Sequence, residues 1–287
     1  MRKVRCYSGS AVDFHEEVLK SKHHSAADPD YKIRMSDRLE VTTQQFDDYD
    51  TRFALDTLEG MPYVTLSSNA KNDFLKLYQY GSQPFQKLLR DLSVDENGNT
   101  YPYCPYCDIG ESGSLDHILP KDEYPVLCDH PKNLIRSCTI CNSKKSSVWL
   151  DGGKRKYLDL YIDEIPNVQM LFVNLKLDAD VLEYEYYVSN QNSADANIFR
   201  MYRNTFDALG LAERYKIQTS EEVSSLISMF RTNIKQFNAT DEQLKECVMS
   251  NVAEEQKRHG VNYWRVVLKM AICDNDVIFN WVKSKAI

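Results

Sequence analysis

Apolar residues recur at helical spacing through the first hundred positions of the chain. Phe46, Tyr49, Phe53 and Leu58 can lie near one helical face, and Phe74, Leu75, Leu77 and Tyr78, then Phe85, Leu88, Leu89 and Leu92, predict two shorter helices. The stretch from Asp95 to Thr100, with Asn-Gly at its centre, is turn-forming by composition and predicts a boundary. From Tyr101 to about Lys156 the helical period fades and Cys, Pro, Asp, Ser and Lys take over, as in a small module whose own core is too thin to stand without a staple. Strict alternation then appears: Leu182, Tyr184, Tyr186 and Val188 are interleaved with Glu183, Glu185 and Tyr187. With Asp178-Ala-Asp180 as a turn after Val168 to Leu177, this predicts a β-hairpin. Helices follow. Thr219 with Glu222, and Thr240 with Gln243, fit capping boxes, while Val223, Leu226, Ile227, Phe230 and Ile234 form an apolar stripe. Gly210 and Gly260 read as helix terminators. The last segment, with Trp264, Val267, Leu268, Ile272, Ile278, Phe279 and Trp281, reads as core or partner-facing surface, and no internal repeat is visible.

These patterns define an α+β chain of three segments: a helical region over 1–98, a Cys-rich module over 99–157, and a hairpin with helices over 158–287. Hydrophobic residues at 43% and charged residues at 27% of 287 positions exclude disordered, collagen-like and coiled-coil classes. No apolar run approaches the roughly 18 residues of a membrane span. The start is basic, but acidic and polar residues stand where a signal peptide needs its apolar segment, so the expected location is cytoplasmic. A net charge of −7 argues against coating nucleic acid by bulk electrostatics, so any such contact requires a local patch. One exists: Arg136, Lys144, Lys145, Lys154, Arg155 and Lys156 face only Asp151 across that stretch.

In a reducing compartment, eight cysteines read as metal ligands and core residues rather than as four disulfides. Cys104-Pro-Tyr-Cys107 and Cys138-Thr-Ile-Cys141 are two C-x-x-C pairs with 30 residues between their inner members. Each pair can bring two sulfurs to a tetrahedral zinc across one tight turn. Four sulfurs leave the ion no open position, so this zinc holds the fold and any catalysis lies elsewhere. Cys6, Cys128, Cys247 and Cys273 lack ligand spacing and read as small core residues.

Between the pairs lie Ser114-Leu-Asp-His-Ile-Leu-Pro-Lys121 and Pro131-Lys-Asn-Leu-Ile-Arg136. Leu115, Ile118 and Leu119 predict a short strand projecting Asp116 and His117 at its end. A second strand over Leu134 to Arg136 then leads to a helix that begins near Thr139 and carries Asn142 on its first turn. The order C-x-x-C, D-H-I-x-P, N-L, C-x-x-C-N-x-x-K, from Cys104 to Lys145, resembles the zinc-stapled HNH endonucleases. That resemblance implies a ββα unit with one catalytic metal. His117 would be the general base, Asp116 a Mg²⁺ or Mn²⁺ ligand, Asn133 the residue that orients the His loop, and Asn142 the second metal ligand. The last position is often His; the amide oxygen of Asn142 can still ligate a hard cation. The chemistry agrees, because hydrolysing a phosphodiester needs a base for water and a cation beside the leaving oxygen. Lys144, Lys145, Lys154, Arg155 and Lys156 are candidate phosphate contacts. His130 reads as a loop histidine, and His23-His24 as a solvated helix end.

Two classes of function compete: a metal-dependent nuclease acting on DNA, with RNA also compatible, and a non-catalytic zinc module that binds nucleic acid or protein. Only the first needs Asp116, His117 and Asn142 together. The layout of an HNH-like core between helical segments is similar to bacterial phage-defence HNH effectors of the Septu type and their retron-linked relatives, which implies an ATPase partner. A stand-alone restriction-like or mobile-element nuclease is the alternative. Residues 158–287 carry 14 basic against 19 acidic residues, which suits docking a protein better than docking DNA.

Overall fold

A computed structural model describes residues 1–94 and 98–287; Asp95, Glu96 and Asn97, part of the expected turn, lie outside the described residues. The fold is α+β, with helices and three small antiparallel two-stranded sheets among the described residues. Its contacts divide it into two compact units, Lys3–Glu164 and Ile165–Ile287, the latter joined by Met1–Arg2. The N-terminal helices and the Cys-rich segment thus share one unit.

That unit runs α1 (Ala11–Ser21), α2 (Tyr31–Ser36), α3 (Leu39–Leu55), α4 (Ser68–Leu75), α5 (Gln83–Leu92), β1 (Ser114–His117), β2 (Leu134–Ser137), α6 (Thr139–Lys144), β3 (Leu150–Asp151) and β4 (Lys154–Arg155). Ser10 and Ser67 cap α1 and α4, their hydroxyls accepting from Asp13 N–H and Ala70 N–H. Phe85, Leu88 and Leu92 recur on one side of α5 and are buried, as their i, i+3, i+7 spacing requires. They pack with Phe14, Val18, Met35, Phe74 and Leu77 against Leu115 of β1 and Leu134 of β2. At about 1.5–3 kcal/mol per buried side chain, this cluster supplies what two four-residue strands cannot. β1 and β2 pair from Ser114↔Ser137 to His117↔Leu134, and α6 packs on β1.

The second unit opens with a hairpin, β5 (Leu171–Asp178) and β6 (Val181–Val188), in register from Leu171↔Val188 to Asp178↔Val181. Ala179 and Asp180, at φ 45° and 69°, form the left-handed two-residue turn whose twist matches the strands. Helices α7 (Ala196–Ala208), α8 (Leu211–Phe237), α9 (Asp241–His259), α10 (Trp264–Asp274) and α11 (Asp276–Ser284) follow. Gly210, at φ 59°, separates α7 from α8. The Thr240–Gln243 capping box is present. The Thr219–Glu222 pair is not a cap: both residues sit inside α8, because the apolar stripe runs on through Leu211, Tyr215 and Val223 and carries the helix past them. Thr219 instead donates to Tyr215 O (2.8 Å), and Glu222 meets Lys269 Nζ at 3.1 Å. Asn262 accepts from Met170 N (2.6 Å) and Leu171 N (2.9 Å), fixing the start of the hairpin. Trp264, Val267, Leu268, Ile272, Ile278 and Phe279 are buried core, and Trp281 is half-buried. Among the described residues no helix is long and apolar enough to cross a membrane.

Candidate functional site

Cys104 and Cys107 precede β1, Cys138 is the N-cap of α6, and Cys141 lies on its first turn. All four are buried, with their sulfurs within 4.8 Å of one another. Cys107 Sγ and Cys138 Sγ are 3.9 Å apart. A disulfide needs about 2.05 Å, whereas tetrahedral zinc at about 2.3 Å from each sulfur separates them by about 3.8 Å. The cluster therefore fits structural zinc, with Cys104, Cys107, Cys138 and Cys141 as ligands. Burial pushes the Cys104 thiol well above its ordinary pKa, so four neighbouring thiolates require a cation to coexist. Gly110 belongs to the site although no ligand spacing marks it. Its carbonyl accepts from Cys104 N–H at 2.8 Å, and a Cβ there would lie 2.9 Å from Cys138 Cβ. A glycine three residues after the first pair was the available signal.

Asp116 and His117 are the last two residues of β1, so their side chains leave opposite faces of the strand. Asp116 is 6% exposed; its Oδ2 accepts from Lys145 Nζ (2.7 Å) and from Tyr106 OH (3.2 Å). Burial raises this carboxyl above the ordinary range, and the Lys145 ammonium opposes that rise. Both donors use the same oxygen. Tyr106 lies inside the first Cys pair, so one hydrogen bond connects the zinc loop to this carboxylate.

His117 is half-buried, with Nε2 2.9 Å from Cys128 O. A carbonyl only accepts, so Nε2 carries the proton and Nδ1 holds the lone pair. Among the described residues nothing bonds to Nδ1. Burial pushes the imidazole down to about 3, and Lys121 and Lys145 push it the same way, so the ring is neutral near pH 7. Tyr78 packs edge-on against it at 4.6 Å. Asn133, fully buried, accepts from Leu119 N (2.7 Å) and donates to Leu119 O and Leu127 O (both 3.1 Å). It clamps both ends of the loop that carries Cys128. Asn142 donates through Nδ2 to Ser114 Oγ (3.2 Å) and Leu115 O (3.3 Å), leaving Oδ1 without a partner among the described residues.

The five candidate phosphate contacts separate. Lys144 and Lys154 are exposed, and Lys156 is half-buried, 5.1 Å from the Tyr157 ring. Lys145 is only 8% exposed and committed to Asp116 and to His117 O (2.8 Å). Arg155 is buried, bonded twice to Asp163 (2.8 and 2.9 Å) and to Asp56 (2.6 Å). It is not available to a phosphate. The reason is strand alternation, which turns Arg155 inward while Lys154 faces solvent. His130 lies in a loop but is fully buried, 4.5 Å from the Phe46 ring and 4.4 Å from that of Tyr49. His15 and Asp129 form a buried pair at 2.8 Å across 114 positions, which no local spacing signals. His23 and His24 are exposed just past the end of α1.

No family model and no solved structure matches the chain. It is 25% identical to protein ea31 of Escherichia phage lambda over 218 residues, covering 72% of this chain and 73% of ea31. It is 31% identical to the Septu protein PtuB of Bacillus thuringiensis over 90 residues, which are 31% of this chain. The chain thus spans about a third of PtuB, 34% of its length.

Replacing Tyr106 with Phe removes one of the two donors to Asp116 Oδ2 and is expected to keep the fold while lowering its stability by about 1–3 kcal/mol, the cost of taking a donor from a buried carboxylate. Thermal melting measures it; an unchanged midpoint would show that the hydrogen bond to Asp116 contributes nothing.

Proposed function

We propose that the chain is a metal-dependent HNH endonuclease of the ββα-metal type that hydrolyses DNA phosphodiester bonds in the cytoplasm as an effector of anti-phage defence. One observation carries the catalytic part: a neutral imidazole anchored through Nε2 on Cys128 O with Nδ1 free, on the residue that follows Asp116 in β1, while the amide oxygen of Asn142 on α6 is unpaired among the described residues. His117 Nδ1 takes a proton from the attacking water, and the Cys128 carbonyl stabilises the imidazolium that forms. An anionic substrate raises the pKa of His117 from its free value and so strengthens it as a base. Asp116 Oδ1 and Asn142 Oδ1 would hold Mg²⁺ or Mn²⁺, which neutralises charge on the phosphate and the departing 3′-oxygen. Lys144, Lys154 and Lys156 hold flanking phosphates. RNA presents the same diester and is a compatible substrate.

The similarity to PtuB supports the defence role. In this reading an ATPase partner docks on residues 158–287, which carry 14 basic against 19 acidic residues. A second reading, a stand-alone nuclease of mobile elements, is favoured by the broader similarity to the lambda protein, 72% of the chain against 31%. The two separate on whether an ATPase partner changes the rate at which the purified chain nicks DNA.

Plasmid nicking tests the catalytic reading. Wild type is expected to nick with Mg²⁺ or Mn²⁺ and to stop when the added cation is withdrawn, while Asp116→Ala stays inactive with its zinc retained. Nicking that needs no added cation, or that Asp116→Ala leaves untouched, would overturn it.

A further inference from the structure

A groove of about 880 Å³ at α2 and α4 is lined by Arg34, Arg38, Asn69, Asn72, Asp73 and Lys76. Its floor is built around one carboxylate. Asp73, 3% exposed, accepts from Arg34 Nε and Nη2 (each 3.0 Å), Arg38 Nη1 (3.0 Å) and Lys76 Nζ (3.4 Å). The guanidinium of Arg34 holds this carboxyl down at about 2, with Arg38 and Lys76 adding to the effect. Asp28 takes further bonds from Arg34 (2.8 and 3.0 Å) and Lys76 (3.2 Å). Three cations against two carboxylates leave the groove positive in a chain whose net charge is −7.

A helix staple needs only Asp73 and its arginines. The groove has more: Arg38 Nε and Nη2 and the side-chain amides of Asn69 and Asn72 have no partners among the described residues. Asn69, Asn72 and Lys76 stand at i, i+3 and i+7, one stripe along α4 and its C-cap, and Asp73 is turned inward. The Arg38 guanidinium and Lys76 ammonium, both bonded to a buried acid, and the two free amides beside them offer donors that match phosphate oxygens. Helix α4, which forms one side of the groove, also supports the loop of the candidate site. Phe74, next to Asp73, accepts through its carbonyl from Cys128 Sγ (2.9 Å), and Cys128 O is the anchor of His117. Lys121, which has no acid partner among the described residues, lies 5.1 Å from the Tyr78 ring that packs on His117.

We propose that this groove holds the phosphodiester backbone of the nucleic-acid strand, at phosphates removed from the bond that His117 attacks. The proposal rests on the nuclease reading. It extends the binding surface beyond the Lys144–Lys156 stretch into a segment whose overall composition is acidic.

The test is fluorescence anisotropy of the full-length chain with a labelled 30-base-pair duplex in Ca²⁺, comparing wild type with Asn69→Glu/Asn72→Glu and with Arg38→Gln. Both asparagines are exposed and make no hydrogen bond among the described residues, so the double variant should melt like wild type. Expected are about tenfold weaker binding and a salt slope shallower by about one phosphate contact, with KM for nicking raised and kcat unchanged. Wild-type affinity in both variants would overturn the groove proposal and leave the nuclease reading standing. Loss of ATP or inorganic phosphate binding with duplex binding intact would overturn it in favour of a small-anion site. A wild type that neither binds the duplex nor cuts plasmid takes both down.

Discussion

Cys138→Ala is expected to lose zinc and to lower the melting temperature of the Lys3–Glu164 unit by roughly 10–20 °C. Loss of a structural zinc, discounted for the hydrophobic core that remains, is worth on the order of 5 kcal/mol. For a domain of this size each kcal/mol shifts melting by about 2–4 °C. Cys138 has a second role that makes it the most sensitive of the four ligands. Its sulfur accepts from Cys141 N–H (3.3 Å) and so caps α6, a six-residue helix too short to hold itself together. That helix carries Asn142 and is followed directly by Lys145, whose ammonium bonds Asp116. Losing zinc therefore removes two supports of the candidate site at once. Cys247→Ala and Cys273→Ala are the controls, since neither residue belongs to the cluster. Metal analysis with calorimetry decides: stoichiometric zinc and unchanged melting in Cys138→Ala would rule out the four-sulfur site.

What was legible in the chain was whatever is encoded over a few neighbouring positions. The Cys pairs, the strand ending in Asp116-His117, the helix starting at Thr139 and the hairpin about Ala179-Asp180 all rest on local spacing, and the structure has each of them. Local reading failed where a longer pattern competed. Thr219 and Glu222 have the residues of a cap, but the apolar stripe of a 27-residue helix outvotes them. Arg155 sits between two lysines in a basic run, yet one residue of strand alternation sends it to Asp163. Pairings between distant segments were not legible at all. Asp73 meets Arg34 across 39 positions, Asn133 meets Leu119 across 14, and His15 meets Asp129 across 114. Those contacts shape the loop behind His117 and the floor of the groove, so the candidate site was visible as an inventory of residues before it was visible as a geometry.

His117→Ala is expected to slow plasmid nicking by 10²- to 10⁴-fold, the usual contribution of a positioned general base, with zinc content and duplex affinity unchanged. The fold should tolerate the change, because the side chain is half-buried and makes one hydrogen bond, to Cys128 O. Leaving that carbonyl unpaired costs about 1–3 kcal/mol, a few degrees of melting. His117→Gln separates the two roles of the ring. Its amide can still donate to Cys128 O and hold the loop, but it offers no basic lone pair where Nδ1 stands. Gln should therefore restore stability without restoring rate. If both variants are slow, the deficit lies in proton transfer; if Gln recovers most of the rate, His117 only positions the loop and the base must be sought elsewhere. Added imidazole supplies the converse test, since a free base entering the space left in His117→Ala should recover part of the rate there and none in Asp116→Ala. Nicking by His117→Ala within tenfold of wild type would remove the imidazole from the reaction.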